Sequence, residues 1–224
     1  MDRDRMNGIL LGLLYIVAAA ASIIAVVLYE PLLSEQWYRT AIQEGDTKVL
    51  IGIGHEMLLV LSAVGTAVML FPYVRRWNEH LALGYLCFRL LEAVFIAIGV
   101  VSLFGLLQLS FYYEANGPGV EEQLRAAGVL LQGFHQWTAM LGPNFMLGVN
   151  TLLYSYLLLR TGLVPRPLAI FGMLTAVMVF VAGMLEMFGV MEPMSAAKGL
   201  IALPVGVYEL SLAVWLIVRG FARK

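Results

Sequence analysis

The chain contains 224 residues, of which 61% are hydrophobic and 13% are charged, and its formal net charge is −1. A soluble domain averages about 45–50% apolar and about 25% charged residues, so this composition excludes an ordinary soluble globule and a disordered chain. Charged residues are also too sparse for the solvated positions of a long coiled coil. The 14 basic residues form no single cluster, and we therefore expect no nucleic-acid partner.

Six apolar segments are long enough to cross a bilayer core of about 30 Å as helices that rise about 1.5 Å per residue. They lack the alternating pattern of a β-barrel, so each is interpreted as an α-helix. The expected fold is all-α: a polytopic membrane protein whose six transmembrane helices form one bundle and one domain over residues 1–224. The predicted spans cover residues 8–28, 49–72, 81–107, 136–159, 168–190 and 199–218.

Two of these spans allow more than one interpretation. The first has a basic start and small residues at 18–21, as a cleaved signal peptide has, but its apolar run continues to Leu28 and favours a retained helix. Before the fourth span, residues 120–135 are either an interfacial segment or the beginning of one long tilted helix. Inside the fourth span, Pro143 is expected to bend the helix and free the carbonyl of Ala139, because proline has no N–H to donate.

The distribution of Lys and Arg predicts the orientation of the chain. The termini and alternate loops on one side hold nine of these residues, and the loops on the other side hold four. Because positive residues concentrate in cytoplasmic loops, we expect a multi-pass protein of the cytoplasmic (inner) membrane with both termini in the cytoplasm. The lipid bilayer is its expected partner, and the oligomeric state is left open.

A polar centre is predicted in the cytoplasmic half of the bundle. A charge inside a span costs about 2.5–3.5 kcal/mol on insertion scales, so it requires a partner or a wet cavity. Depth along the helices brings Arg89 and Glu209 to one level, and Glu92 lies on the same face as Arg89, about one turn deeper. Tyr85 and Tyr208 could supply hydrogen bonds nearby. This centre is either a structural salt bridge that holds the third and sixth spans together or a functional site for a proton or for a small ligand, ion or lipid.

A second polar group is expected in the outer half, formed by His55, Glu56, His135 and Glu186. These residues could make packing hydrogen bonds, relay protons, or ligate a metal or haem, for which His55, His135 and Glu186 are the candidates. Their spacing matches no metal-binding motif. A metal- or haem-dependent membrane enzyme is therefore kept as an alternative function.

The remaining motif searches are negative. The sequence contains no GxSxG, no Walker-type GxxxxGK[ST] and no GxGxxG, so no enzymatic activity and no cofactor is implied. Cys87 is the single cysteine, cannot form an intramolecular disulfide, and is interpreted as a small buried residue. The leading interpretation is a protein that binds or passes a small ligand, ion or lipid, and a helix-packing interaction subunit is a further alternative.

Three stretches of the chain carry a family resemblance. Residues 84–103 contain FRLLEA, residues 156–172 contain VPRPL, and residues 208–221 contain a Glu followed by WLIVRGF. Together they resemble a bacterial integral-membrane family designated only as a domain of unknown function (serial 4386). The resemblance runs from the first helix to the last, and it implies one all-helical membrane domain without an assigned reaction, substrate or cofactor. It also implies recurring residues at Arg89, Glu92, Pro165, Arg166 and Glu209.

Overall fold

The computed structural model describes residues 3–34, 37–38, 46–193 and 195–222 of the chain. These residues are almost entirely helical and include no β-strand, so the all-α prediction is confirmed. The helices are α1 (Arg3–Tyr29), α2 (Asp46–Val74), α3 (Glu79–Asn116), α4 (Glu121–Met140), α5 (Leu147–Thr161), α6 (Arg166–Met187) and α7 (Ala196–Arg219). Short 3₁₀ turns lie at Glu30–Leu33 and Pro118–Val120, and a π-helical segment, Leu141–Met146, joins α4 to α5.

Five helical stretches in the described part of the chain are long and apolar enough to cross a membrane: Arg3–Leu33, Thr47–Val74, Glu79–Asn116, Arg166–Met187 and Lys198–Arg219. This pattern indicates a multi-pass membrane protein. The predicted fourth span differs from the others, because the π segment divides it between the less apolar α4 and the 15-residue α5. The count of six spans therefore stays a prediction.

The helices form a closed ring in chain order. Apart from α4 and α5, which the π segment joins end to end, each helix packs against its neighbours in the sequence. In addition, α3 contacts both α4 and α5, and α7 returns to α1. Near the start of α1, Nη2 of Arg5 donates to the carbonyl oxygen of Ile217 near the end of α7, at 2.7 Å. Both ends of the chain therefore lie at one end of the bundle, which we call the terminal end. The opposite end, which carries the turns Glu30–Leu33 and Pro118–Val120, is the distal end.

Local signals in the sequence explain where several helices begin and end. The side chain of Asn78 accepts a hydrogen bond from the backbone N–H of Leu81 at 3.0 Å and caps α3, and Ser195 caps α7 in the same way through Lys198, at 3.2 Å. Gly162 ends α5 with a φ of 67°, in the left-handed region that glycine adopts without steric cost. Capping and glycine chemistry thus place these boundaries.

The third helix continues well beyond the predicted span, which ends at residue 107, and reaches Asn116. Its last turns pack against a distal apolar cluster that includes Leu32, Trp37 and Leu124. At about 1.5 Å per residue, α3 is about 57 Å long, which exceeds the bilayer core of about 30 Å. The apolar run therefore marks the membrane-crossing part of α3, whereas tertiary packing decides where the helix ends.

The helix that contains Pro143 is interrupted, as the sequence predicts. The amide nitrogen of Pro143 cannot donate to the carbonyl of Ala139, and the chain around it forms the π segment. The freed carbonyl instead accepts from Nδ2 of Asn144 at 3.4 Å. Because the chain is helical from Glu121 onward, residues 121–135 are the beginning of one long, interrupted helix.

The interpretation of Cys87 as a buried residue is wrong. Its side chain is exposed on the outside of the ring, as are those of Leu83 and Leu91 on the same helix. Residues four apart share one face of a helix, and this face of α3 points away from the bundle. A surface of this composition suits contact with lipid tails.

Candidate functional site

The predicted charges of the terminal half form one contact group, which we call the Arg89 centre: Arg89, Glu92, Glu209 and Asn150. Nη1 of Arg89 lies 3.0 Å from Oε2 and 3.3 Å from Oε1 of Glu92, one turn along α3. Nε of Arg89 donates to the carbonyl oxygen of Ala63 in α2 at 3.3 Å. Arg89 is 2% exposed and Glu92 4% exposed, so this ion pair lies inside the bundle.

Two further helices contribute to the Arg89 centre. Oε1 of Glu209 in α7 lies 3.9 Å from Nη1 of Arg89, so the structure brings together the three charged residues that depth along the helices predicted. Asn150 in α5 donates from Nδ2 to Oε2 of Glu92. Asn150 is not among the residues that the sequence predicted for this centre. The centre therefore connects α2, α3, α5 and α7.

Four fully buried tyrosines surround the Arg89 centre, and we call them the tyrosine cluster: Tyr15, Tyr85, Tyr154 and Tyr208. The ring centroid of Tyr154 lies 6.2 Å from that of Tyr15, 5.5 Å from that of Tyr85 and 6.0 Å from that of Tyr208. The hydroxyl of Tyr208 is hydrogen-bonded to Oγ of Ser155 at 2.8 Å. Tyr85 and Tyr208 were predicted here, because each is close in sequence to a predicted charge, whereas Tyr15 and Tyr154 were not assigned to this centre.

A glycine makes room for the tyrosine cluster. A Cβ atom at position 172 would overlap the ring of Tyr208 and Oγ of Ser155. Gly172 therefore lets α6 approach α5 and α7 closely, and the tyrosine ring fills the space that a side chain would otherwise occupy. The terminal half is consequently filled with protein atoms around its charges.

The distal half contains an open space instead, which we call the distal cavity. It has two adjoining lobes of about 270 Å³ and about 520 Å³, which share several lining residues. The shared residues are Val26, Tyr29, His135, Ala139 and Lys198. The shared wall between the lobes thus comes from α1, α4 and α7. The smaller lobe also reaches Asn144 of the π segment.

A hydrogen-bonded pair lines the smaller lobe. The hydroxyl of Tyr29 donates to Oε1 of Glu56 at 2.7 Å, and Glu56 is 7% exposed. The rings of Tyr29 and His135 meet edge to face, with their centroids 5.4 Å apart. Nδ1 of His135 lies 3.3 Å from the carbonyl oxygen of Gly99, and a Cβ atom at Gly99 would crowd that ring nitrogen. Helices α1, α2, α3 and α4 therefore meet around this lobe.

An ion pair crosses from α6 to α7 at the larger lobe. Nζ of Lys198 lies 2.6 Å from Oε2 of Glu186, and the two side chains are 17% and 3% exposed. Glu192 also lines this lobe. Lys198 was counted only as a loop charge in the sequence, although its position three residues after the capping Ser195 marks it as part of the first turn of α7.

The structure does not bring His55 to the other residues of the predicted outer group. Glu56, His135 and Glu186 line the distal cavity, whereas His55 is half-exposed and its Nδ1 lies 2.8 Å from the carbonyl oxygen of Ile51, on its own helix. Adjacent residues of a helix point about 100° apart, so Glu56 can face inward only if His55 does not. The candidate metal ligands His55, His135 and Glu186 are therefore not assembled. Among the described residues, no three His, Cys, Asp or Glu side chains are grouped to hold a metal ion.

A comparison with known families identifies the family of this chain. The model of a family described as a domain of unknown function (DUF4386) matches residues 10–220. The chain belongs to this family. The match includes both the Arg89 centre and the distal cavity, and it confirms the resemblance seen in the sequence. No curated protein and no solved structure matches the chain.

Proposed function

We propose that this member of the family spans the inner membrane six times, with both termini in the cytoplasm, and binds a small cation from the outer side in the distal cavity. The whole chain acts as one helical domain in this proposal. The observation that carries it is the charge of the cavity lining, in which three carboxylates face one ammonium group: Glu56, Glu186, Glu192 and Lys198.

The position of the chain ends supports six crossings. Five crossings would leave the two termini on opposite sides of the membrane. The hydrogen bond between Arg5 and the carbonyl of Ile217 holds the termini at the same end of the bundle, so α4, the π segment and α5 together supply a further crossing. The excess of Lys and Arg on the terminal side favours a cytoplasmic terminal end.

The distal cavity has the size and lining of a small-molecule site. Ligand pockets enclose about 300–1,000 Å³ and combine apolar walls with a few polar groups. Here the apolar walls include Val26, Leu59 and Ile96, and they strengthen electrostatic attraction by keeping bulk water away. Even with Glu186 neutralised by Lys198, the carboxylate of Glu56 and that of Glu192 leave the cavity negative, which favours a cation.

The Arg89 centre has a different part in this proposal. Arg89 and Glu92 are almost fully enclosed, and neither lines either lobe of the distal cavity. We therefore move the ligand site from the Arg89 centre, where the sequence predicted it, to the distal cavity. The Arg89 centre then locks α3 to α5 and α7.

Charged thiol reagents test the cation site directly. In a Cys87→Ala background, Ala139→Cys places a thiol on the wall that both lobes share. The variant is expressed in intact cells and treated from outside with positively or negatively charged methanethiosulfonates of similar size. We expect the positive reagent to react several-fold faster, and Glu56→Gln to reduce that preference because it removes a negative charge from the lining.

Two results would overturn this proposal. One is equal or faster reaction with the negative reagent, which would mean that the cavity does not select cations. The other is protection of Ala139→Cys from both reagents, which would mean that the cavity is closed to the outer solution. Ala176→Cys, on the fully buried face of α6, is the matched control and should remain unlabelled.

A further inference from the structure

The Arg89 centre carries an unbalanced charge. In the described part of the chain, one guanidinium faces two carboxylates, and the other ionisable groups around it are the hydroxyls of the tyrosine cluster. With both carboxylates ionised, the centre has a net charge of −1. A net charge in a low-dielectric interior is costly unless a further cation neutralises it.

The two carboxylates of the centre are held differently. Glu92 accepts from Nη1 of Arg89 with both oxygens and from Nδ2 of Asn150, so an ionised carboxylate is fully satisfied there. Glu209 reaches Arg89 only at 3.9 Å, and its buried Oε1 has no hydrogen-bond partner among the described residues. Glu209 is therefore the carboxylate that can accept a proton without losing a close hydrogen bond.

The neighbouring polar atoms suit an added donor. The hydroxyls of Tyr15, Tyr85 and Tyr154 and Oδ1 of Asn150 are buried without a hydrogen-bond partner in the described part of the chain. Buried polar atoms are almost always hydrogen-bonded in folded proteins. An ionised carboxylate offers these atoms only acceptors, whereas a protonated one also offers an O–H donor. A tyrosine hydroxyl can both donate and accept, so the atom that specifically lacks a donor is Oδ1 of Asn150, which only accepts.

We propose that Glu209 is a proton-binding site, and that it carries its proton in the resting protein while Glu92 remains ionised beside Arg89. The proton neutralises the Arg89 centre. This inference does not depend on the distal cavity or on the identity of a cation bound there.

Infrared spectroscopy of the protein in lipid nanodiscs at neutral pH tests the proton directly. A protonated carboxylic acid has a C=O stretching band that a carboxylate lacks. We expect Glu209→Gln to remove one such band, and Glu209→Asp to shift it, because the band belongs to residue 209. Glu92→Asp should leave its position unchanged, and Glu122→Gln, an exposed carboxylate on α4, is the control for general effects.

Thermal unfolding provides a second measurement. Gln has the shape and neutrality of a protonated Glu, so Glu209→Gln should unfold within about a degree of the wild-type temperature. Two infrared results overturn the proposal: a carboxylic-acid band that is unaffected by Glu209→Gln, or one that shifts with Glu92→Asp. A large loss of thermal stability in Glu209→Gln would also overturn it, because it would mean that an ionised Glu209 pairs with Arg89.

Discussion

The terminal and distal halves of the bundle contain similar charges in different surroundings. Among the described residues, the Arg89 centre and the distal cavity each combine one Lys or Arg side chain with carboxylates from at least two helices. Around Arg89 the space is filled by tyrosine rings, and Arg89 is 2% exposed. Around Lys198 the helices stand apart, and the ion pair with Glu186 lines a cavity. Charge composition alone therefore does not distinguish an enclosed ion pair from one that lines a cavity.

The residues that fill or leave space between the helices make the difference. In the terminal half, Gly172 lets a helix approach and Tyr208 fills the resulting gap. In the distal half, Pro143 interrupts the helix and the π segment forms one wall of the cavity. Close packing encloses the first group, whereas the second group lines the cavity beside the π segment. Substitutions in the two halves should therefore change the free energy of unfolding by different amounts, and these changes should depend differently on salt.

The largest effect is expected for Arg89→Leu. Removing the guanidinium leaves Glu92 as an uncompensated buried charge, and loss of one partner of a buried pair costs about 3–5 kcal/mol. The free energy of unfolding in detergent, measured by chemical denaturation, should fall by that amount. The double variant Arg89→Leu/Glu92→Gln should recover most of the loss. An Arg89→Leu protein with normal stability would contradict the proposal that the Arg89 centre holds α3 to α5 and α7.

A smaller loss is expected for Gly172→Ala. The new Cβ would overlap Tyr208 and Ser155, and overpacking of a filled core costs about 1–3 kcal/mol. Gly206→Ala is the matched control, because nothing lies within 4 Å of a Cβ at that position. Denaturation midpoints of the two variants should separate clearly. Equal midpoints would mean that the terminal half is not close-packed at the tyrosine cluster.

Tyr29→Phe should have a moderate effect on the distal half. It removes the donor at 2.7 Å from Glu56 and leaves that buried carboxyl without its partner, which costs about 1–2 kcal/mol. Tyr112→Phe, at an exposed site on α3, should cost nothing measurable. Thermal unfolding in the same detergent compares the two. A Tyr29→Phe protein as stable as Tyr112→Phe would mean that cavity solvent replaces the lost hydrogen bond.

The smallest effect is expected for Lys198→Gln. Glu186 is only 3% exposed, but Lys198 is 17% exposed and lines an open cavity, from which water can reach the carboxylate that the substitution leaves behind. We therefore expect a loss of about 1 kcal/mol, the upper value for exposed ion pairs and well below that for the enclosed Arg89 pair. Because salt screens accessible charges, this loss should shrink as ionic strength increases. The loss caused by Arg89→Leu should not change with salt. Denaturation at low and high salt tests both expectations. The same salt response in the two variants would contradict the conclusion that one charged group is enclosed and the other is open to solvent.

Much of the architecture and of the Arg89 centre is predictable from the sequence. Long apolar runs identify the membrane helices because lipid leaves backbone groups no partners outside the helix. Depth along two helices predicts that Arg89 and Glu209 meet, because the rise per residue is constant and charges in lipid need partners. The interruption at Pro143 follows equally from a missing N–H.

The distal cavity is less predictable, and the reasons are geometric. His55 and Glu56 are adjacent in sequence but point in different directions, and only the rotation of α2 against α1 decides which one faces Tyr29. From the sequence, Lys198 is assigned to a loop. In the structure, the cap at Ser195 starts α7 before Lys198, whose side chain pairs with Glu186. Helix rotation depends on the packing of every neighbour, so one sequence pattern cannot specify it.

The sequence by itself determined that this chain is an all-helical membrane protein of its family and that its buried charges must pair, because both follow from solvation in lipid. Only the tertiary structure decided which of the two charged groups is enclosed and which is open. That outcome depends on how tyrosines, glycines and a π segment fill the space between helices, and packing of this kind exists only once the helices are assembled.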